Sequence, residues 1–164
     1  MEASKASTGN ITVNMERTEI GVLFTQVIGE YEERLNNNGL EIILDKPEES
    51  IFVLGDGRLL WRVFDNLLCN VCKYAQPQTR VYINLEMIDE QAVITIKNIS
   101  KYALNISSDE LIERFVRGDR SRNTEGSGLG LSISKSLVEL QNGKFDLYID
   151  GDLFKVILSF SIID

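Results

Sequence analysis

The sequence predicts an α+β domain, a two-layer sandwich in which about three helices cover one face of a mixed β-sheet. Three observations carry this. Helical and strand patterns follow one another without regular alternation, which disfavours a doubly wound parallel sheet. Two pairs of strand patterns are joined by tight-turn residues, Asp89-Glu90 and Asp150-Gly151-Asp152, as in antiparallel hairpins. The chain has 164 residues, 43% of them hydrophobic, which suits one compact core and is too apolar for a disordered chain.

The elements follow in order. Glu2 to Ser7 reads as the end of a helix, stopped by Gly9-Asn10. Ile11 to Asn14 alternates apolar and polar, as a strand does. Glu19 to Leu35 carries Ile20, Leu23, Phe24, Val27, Ile28 and Tyr31 on one helical face, and Asn36-Asn37-Asn38-Gly39 ends it. Short strands are expected at Leu40 to Leu44 and Ile51 to Leu54, on either side of a turn at Pro47. Asp56 is placed to cap a helix running to about Tyr74, and Pro77 bars its extension. Strands Thr79 to Met87 and Ala92 to Asn98 form the first hairpin. A short helix is expected over Ser108 to Phe115, and a second long one from near Ser127 to Asn142-Gly143. Strands Lys144 to Ile149 and Leu153 to Phe160 close the chain.

Composition excludes several functions. The chain contains no histidine, so histidine general bases, Ser-His-Asp and Cys-His nucleophilic sites and His-ligated zinc are impossible within it. A net charge of −8 argues against a nucleic-acid footprint, which needs a basic stripe. No apolar run is long enough to span a bilayer, and a polar segment follows Met1, so no membrane contact is expected and a cytoplasmic setting is. Cys69 and Cys72 make no disulfide framework. Their C-x-x-C spacing falls inside a helical pattern with no second ligand pair, and they read as helix residues rather than as a zinc or redox centre.

Two segments carry chemistry. On the helix to Tyr74, the residues Asn66, Asn70, Lys73 and Tyr74 form a polar stripe at i, i+4, i+7 and i+8, beside the apolar face of Leu60, Val63, Phe64, Leu67 and Val71. Such a stripe borders the core, where a ligand pocket forms. An asparagine oxygen suits a hard cation such as magnesium, and a lysine one turn on suits a phosphate. The same stripe is also compatible with a solvated helix face. Further on, Gly126, Gly128 and Gly130 alternate with Ser127, Leu129 and Leu131 where a helix begins. Absent side chains let backbone N–H groups approach a phosphate, and the helix dipole favours the anion. Neither a dinucleotide-binding fingerprint nor a Walker loop fits. Residues 117–128 contain no apolar residue and carry three arginines, as a mobile cationic cover over a polyphosphate would.

In this order the motifs resemble the histidine kinase branch of the gyrase, Hsp90, histidine kinase and MutL superfamily. The likeness covers about residues 11–162. Asp65-Asn-Leu-Leu-Cys-Asn-Val-Cys-Lys-Tyr74 is similar to its N box, Glu113-Arg-Phe-Val-Arg-Gly-Asp119 to its F box, and Gly126-Ser-Gly-Leu-Gly-Leu131 to its G2 box. The resemblance implies a Bergerat-type ATP-binding fold over residues 11–164, with residues 1–10 a remnant of the dimerisation helix and linker. It implies ATP and magnesium as ligands. Asn70 would hold the metal with support from Asn66, and Lys73 and Arg117 would meet phosphates. Tyr74 would lie near the adenosine, and Gly126 to Leu131 would face the triphosphate. One part departs from the pattern. Asn98 stands where the G1 box has an aspartate, and the spaced glycines after it are missing. Its carbonyl still accepts a hydrogen bond from an adenine amino group, but without charge.

The resemblance implies transfer of the γ-phosphate of ATP to a histidine on a separate helical dimerisation domain, then to a response regulator. It also implies a full-length protein anchored in the bacterial cell membrane. Two alternatives stand beside it. The altered G1 box would suit a nucleotide-poor pseudokinase acting as an interaction module. An ATPase of the gyrase or Hsp90 kind would need a glutamate at position 66 as base, where this chain has an asparagine.

Overall fold

The structure is a computed structural model and describes residues 11–101 and 127–163. The expected helix over 108–115, the stretch 117–126 and the opening residues 1–10 lie outside it.

In chain order the elements are β1 (Glu16–Glu19), α1 (Ile20–Asn37), β2 (Glu41–Asp45), β3 (Phe52–Gly55), α2 (Gly57–Tyr74), β4 (Arg80–Ile88), β5 (Gln91–Ile99), α3 (Ser127–Leu140), β6 (Lys144–Asp150) and β7 (Leu153–Ile163). The strands make one seven-stranded sheet in the order β1-β3-β7-β5-β4-β2, with β6 beside β7. Among the described strands only β2 and β4 run parallel, so the sheet is mixed, as expected.

Period-2 alternation sets the two faces of the sheet. Leu85, Ile94, Leu158 and Phe145 form one cross-strand row, and Ile83, Ile96, Val156 and Leu147 the next. All but the partly buried Leu147 are buried, against Leu60, Phe64 and Leu67 of α2, Leu137 and Val138 of α3, and Phe24 and Val27 of α1 in one core. Phe24 and Phe64 join α1 to α2 through rings 4.6 Å apart. The side chains in between point the other way. There Lys97 lies 5.3 Å from the Tyr82 ring and Lys155 4.9 Å from the Tyr148 ring, on the open face.

The first strand lies elsewhere than expected. Residues 11–15 are irregular, and the pairing segment is Glu16–Glu19, antiparallel to Phe52–Gly55. Ile11 and Val13 do pack on the core, which accounts for their alternation. The N–H of Asn14, however, donates to Asp56 Oδ2 at 2.9 Å instead of to a strand neighbour.

The helix ends are set by local chemistry. The Asp56 side chain accepts from the Arg58 N–H at 3.0 Å and caps α2. Gly39 (φ 72°) follows α1 in the left-handed region, and the Leu40 N–H returns to the Leu35 carbonyl at 2.9 Å. At the end of α3 the left-handed residue is Asn142 (φ 65°), and the Gly143 N–H returns to the Val138 carbonyl at 2.9 Å. Gly143 serves close packing instead, because a Cβ there would sit 2.5 Å from the Phe160 ring and 2.9 Å from Val138. Gly143→Ala is therefore expected to destabilise the domain by about 1–3 kcal/mol through overpacking. Gly57→Ala, whose Cβ meets nothing within 4 Å, should be neutral or stabilising. Denaturant midpoints of the two variants check this, and equal midpoints would contradict it.

Candidate functional site

Helix α2 supplies the centre of the site. Its apolar stripe faces the sheet, and the polar stripe predicted beside it lies at the border of the core. Asn66, Lys73 and Tyr74 are half-buried, and Asn70 is only 5% exposed. Burial of an amide side chain normally requires partners for its oxygen and nitrogen. Among the described residues the Asn70 Oδ1 has no hydrogen-bond partner. Beside it lies Gly130, on the first turn of α3. A Cβ built there would stand 3.9 Å from Asn70 Oδ1 and 4.0 Å from Asn66 Cβ. The first turn of α3 thus passes close to both asparagines. A buried oxygen without a partner among the described residues, beside the start of α3, fits a hard cation.

The glycine turn begins α3, as expected. Ser127, Gly128 and Leu129 are helical, Gly130 and Leu131 are buried, and the first N–H groups of a helix lack intrahelical acceptors. The helix N-terminus and the two asparagines therefore meet at one place. Arg117 and Gly126, also expected at the site, lie outside the described residues.

Strand β5 brings the third part. Asn98 follows Ile94 and Ile96 on the core side and is 4% exposed. Beyond it the chain is zipped to the end of α2. The Gln76 N–H donates to the Ile99 carbonyl at 2.7 Å, and the Lys101 N–H to the Tyr74 carbonyl at 2.9 Å. Ala75 and Ser100 form an antiparallel bridge. Asn98 is thereby held at the Tyr74 end of α2.

Two features of the frame were not evident from the sequence. Gln141, after α3, is 2% exposed; its Oε1 accepts from the Asp56 N–H at 2.7 Å, and its Nε2 donates to the Leu137 carbonyl at 2.9 Å. The end of α3 is thus tied to the start of α2. A glutamine before Asn-Gly reads as an exposed helix end, so only a three-dimensional contact could reveal it. Asp56 itself sits under opposing influences. Burial pushes its carboxyl up, but hydrogen bonds from the Asn14 N–H and from the side chain and N–H of Arg58 prevail and hold it below the ordinary aspartate value. The second feature lies at the other face of α2. The Tyr31 hydroxyl donates to Asp65 Oδ1 at 2.6 Å, joining α1 to the first residue of the asparagine motif. Burial, then the bond to Asp65, push the Tyr31 phenol well above its usual value, so it remains a donor.

Among the described residues no helix is long and apolar enough to cross a membrane. No group of three or more His, Cys, Asp or Glu side chains there is arranged to hold a metal ion.

Known proteins resemble this chain in sequence and in fold. The chain is 38% identical over 108 residues to a probable sensor protein, PcoS, of Escherichia coli, covering 63% of this chain and 23% of that protein. It is 29% identical over 149 residues to the sensor protein kinase WalK of Staphylococcus aureus, covering 88% of this chain and 24% of that protein. The chain thus spans about a quarter of the length of these relatives. Among solved structures, the histidine kinase AdeS of Acinetobacter baumannii superposes with a TM-score of 0.78 at 18% identity, over 99% of this chain and 75% of that one. The catalytic domain of the histidine kinase ThkA gives 0.75 at 19% identity, over 90% and 95%. Full-length ShkA in complex with AMPPNP gives 0.77 at 19% identity, over 98% and 34%. Residues 55–160, from the strand end before α2 to the last sheet strand, match the family described as histidine kinase-, DNA gyrase B- and HSP90-like ATPases, and the chain belongs to that family, with the fold of its histidine kinase catalytic domains.

Proposed function

We propose that this chain is the ATP-binding catalytic part of a sensor histidine kinase, and that it passes the γ-phosphate of ATP to a histidine on a separate helical domain. The observation that carries the reading is the buried, unpartnered Asn70 Oδ1 facing Gly130 at the start of α3. Asn70, with Asn66 beside it, would hold magnesium, which when bound neutralises charge on the phosphates. Lys73 and Arg117 would bind phosphate oxygens. The N–H groups of Ser127 to Leu131, with Gly126 and Gly128 leaving the approach open, would orient the triphosphate. Tyr74 and Asn98, at the far end of α2, would line the adenosine side.

The absence of histidine makes the receiving group external to this chain. Catalysis would then consist of positioning and charge neutralisation, with no covalent work by the chain itself. The dimerisation and phosphoacceptor helices of the same kinase would be the partner, and a response regulator would take the phosphate next. Asn66, which cannot accept a proton from water, disfavours hydrolysis as the purpose.

Incubation with radiolabelled magnesium ATP tests the reading. The chain alone should acquire no stable label. A matching histidine-bearing helical domain supplied in trans should become labelled, slowly, because the covalent link that gives a high local concentration is absent. Stable label on this chain, or an unlabelled partner at high concentration, would refute the proposal.

A further inference from the structure

Among the described residues two buried side-chain atoms lack a hydrogen-bond partner, Asn70 Oδ1 and Ser134 Oγ. The first belongs to the site above. The second lies on α3 and is 0% exposed. Both are in the seam between α2 and α3. The two helices run antiparallel there. Gly130, in the first turn of α3, passes Asn66 and Asn70, while Gln141, just beyond its end, reaches Asp56 at the start of α2. Ser134 stands one turn on from Gly130 on the same side of α3, with Cβ positions about 5–6 Å apart. Cβ bonds in a helix tilt toward its N-terminus, so the Ser134 side chain leans back toward the Gly130 turn.

On α2, Asn66 is the polar side chain at this level. A Cβ at Gly130 would lie 4.0 Å from Asn66 Cβ, and the antiparallel course sets Asn66 between the levels of Gly130 and Ser134. Val63 and Leu67, its neighbours on α2, are buried and apolar. Close packing of the two helices does not require a hydroxyl here. Alanine would fill the same room without burying an unsatisfied oxygen. A metal takes an amide by its oxygen, and the nitrogen of that amide then needs an acceptor elsewhere.

We propose that Ser134 is a positioning residue of the nucleotide site. Its Oγ accepts a hydrogen bond from Asn66 Nδ2 when magnesium and nucleotide bind, and this turns Asn66 Oδ1 toward the metal beside Asn70. Ser134 itself touches neither metal nor phosphate. The inference rests on the reading of Asn66 and Asn70 as the residues that hold the metal. Asn66 is half-buried, so packing does not enclose its amide before the site fills. Both unpartnered atoms then gain a partner in one step, the Asn70 oxygen from the metal and the Ser134 oxygen from Asn66.

Ser134→Ala, Asn66→Ala and the double variant test this beside the parent. Each is melted without ligand and titrated with a non-hydrolysable ATP analogue, with and without magnesium. Ser134→Ala should melt at the parent's temperature or slightly above it, because it removes an unsatisfied hydroxyl. Its affinity for the analogue with magnesium should fall about tenfold or more, as loss of a partner one layer out from a metal does. Without magnesium the two should bind alike. In the Asn66→Ala background the same substitution should change nothing, because Ser134 acts through that amide. Ser134→Thr, which keeps the hydroxyl, should bind more tightly than Ser134→Val, which has the same shape. In NMR spectra, the side-chain amide protons of Asn66 should become protected from solvent exchange when the analogue and magnesium are added to the parent, but not to Ser134→Ala. Equal magnesium-assisted affinity in Ser134→Ala and the parent would overturn the proposal and leave Ser134 a small packing residue. An undiminished effect of Ser134→Ala once Asn66 is gone would overturn it too. A parent without magnesium-assisted binding would bring down the reading of the asparagines and Ser134 with it. A null result confined to the Ser134 variants would leave that reading standing.

Discussion

Replacing Asn70 by alanine is expected to erase the effect of magnesium on nucleotide binding while leaving the melting temperature unchanged or slightly raised. The two halves come from one observation. Asn70 is 5% exposed, yet among the described residues its Oδ1 has no partner. A buried acceptor left unsatisfied costs about 1–3 kcal/mol, so removing it relieves a penalty that offsets the lost packing of the amide. An asparagine kept for stability would behave in the opposite way. On the binding side, metal-assisted affinity should fall roughly 100-fold or more, since even partners one layer out from a metal are worth about 10–100-fold. Titration calorimetry with an ATP analogue, with and without magnesium, gives the binding half, and a thermal melt gives the other. A variant that keeps the full magnesium effect removes Asn70 from the site. A large fall in melting temperature would instead make Asn70 a structural residue.

Gln141→Leu should have the largest effect on stability, although it places an apolar side chain in an apolar setting. The glutamine is 2% exposed and bridges the Asp56 N–H, at 2.7 Å, to the Leu137 carbonyl, at 2.9 Å. Leucine nearly preserves the volume but leaves the Asp56 N–H buried without an acceptor. The Leu137 carbonyl, near the end of α3, loses its donor as well. Together these should cost about 2–3 kcal/mol. For a domain of this size the melting temperature would fall by roughly 4–10 °C. Gly55, where a Cβ would lie 2.9 Å from Leu60 and 3.2 Å from Gln141 Oε1, leaves little room for water to enter and replace the lost acceptor. A melting temperature within a degree of the parent's would show that the bridge contributes nothing.

Much of the frame is legible in local residues because each choice there acts within a few positions. Asp56 caps α2 through its own side chain, and the helix ends at Tyr74, ahead of Pro77. The Asp89-Glu90 turn takes positive φ at both residues, 51° and 63°, and Gly151 takes φ 63° in the last hairpin. Strand alternation put Asn98 on the side of Ile94 and Ile96, and helical period put Asn66, Asn70, Lys73 and Tyr74 on one stripe. The order of these motifs was sufficient to indicate the family.

Contacts between segments distant in the chain decided the rest. Ile11 to Asn14 alternates like a strand, yet the edge of β3 pairs with Glu16–Glu19, because a strand forms where a partner's backbone groups are available and alternation alone supplies none. Asn66 and Asn70 lie on one helical stripe, and the passage of α3 at Gly130 is what buries Asn70, whose oxygen has no partner among the described residues, and leaves Asn66 half-exposed. Gly143 looked like a helix-terminating glycine, but Asn142 takes the left-handed backbone and Gly143 makes room for Phe160, which lies on the last strand. Arg34 and Cys69 are 35 residues apart, and no local pattern announces their meeting. Local residues set backbone conformation and the buried face of each element, whereas the partner of a buried polar group depends on which elements pack together, and that is settled only when the sheet and its helices close on one core.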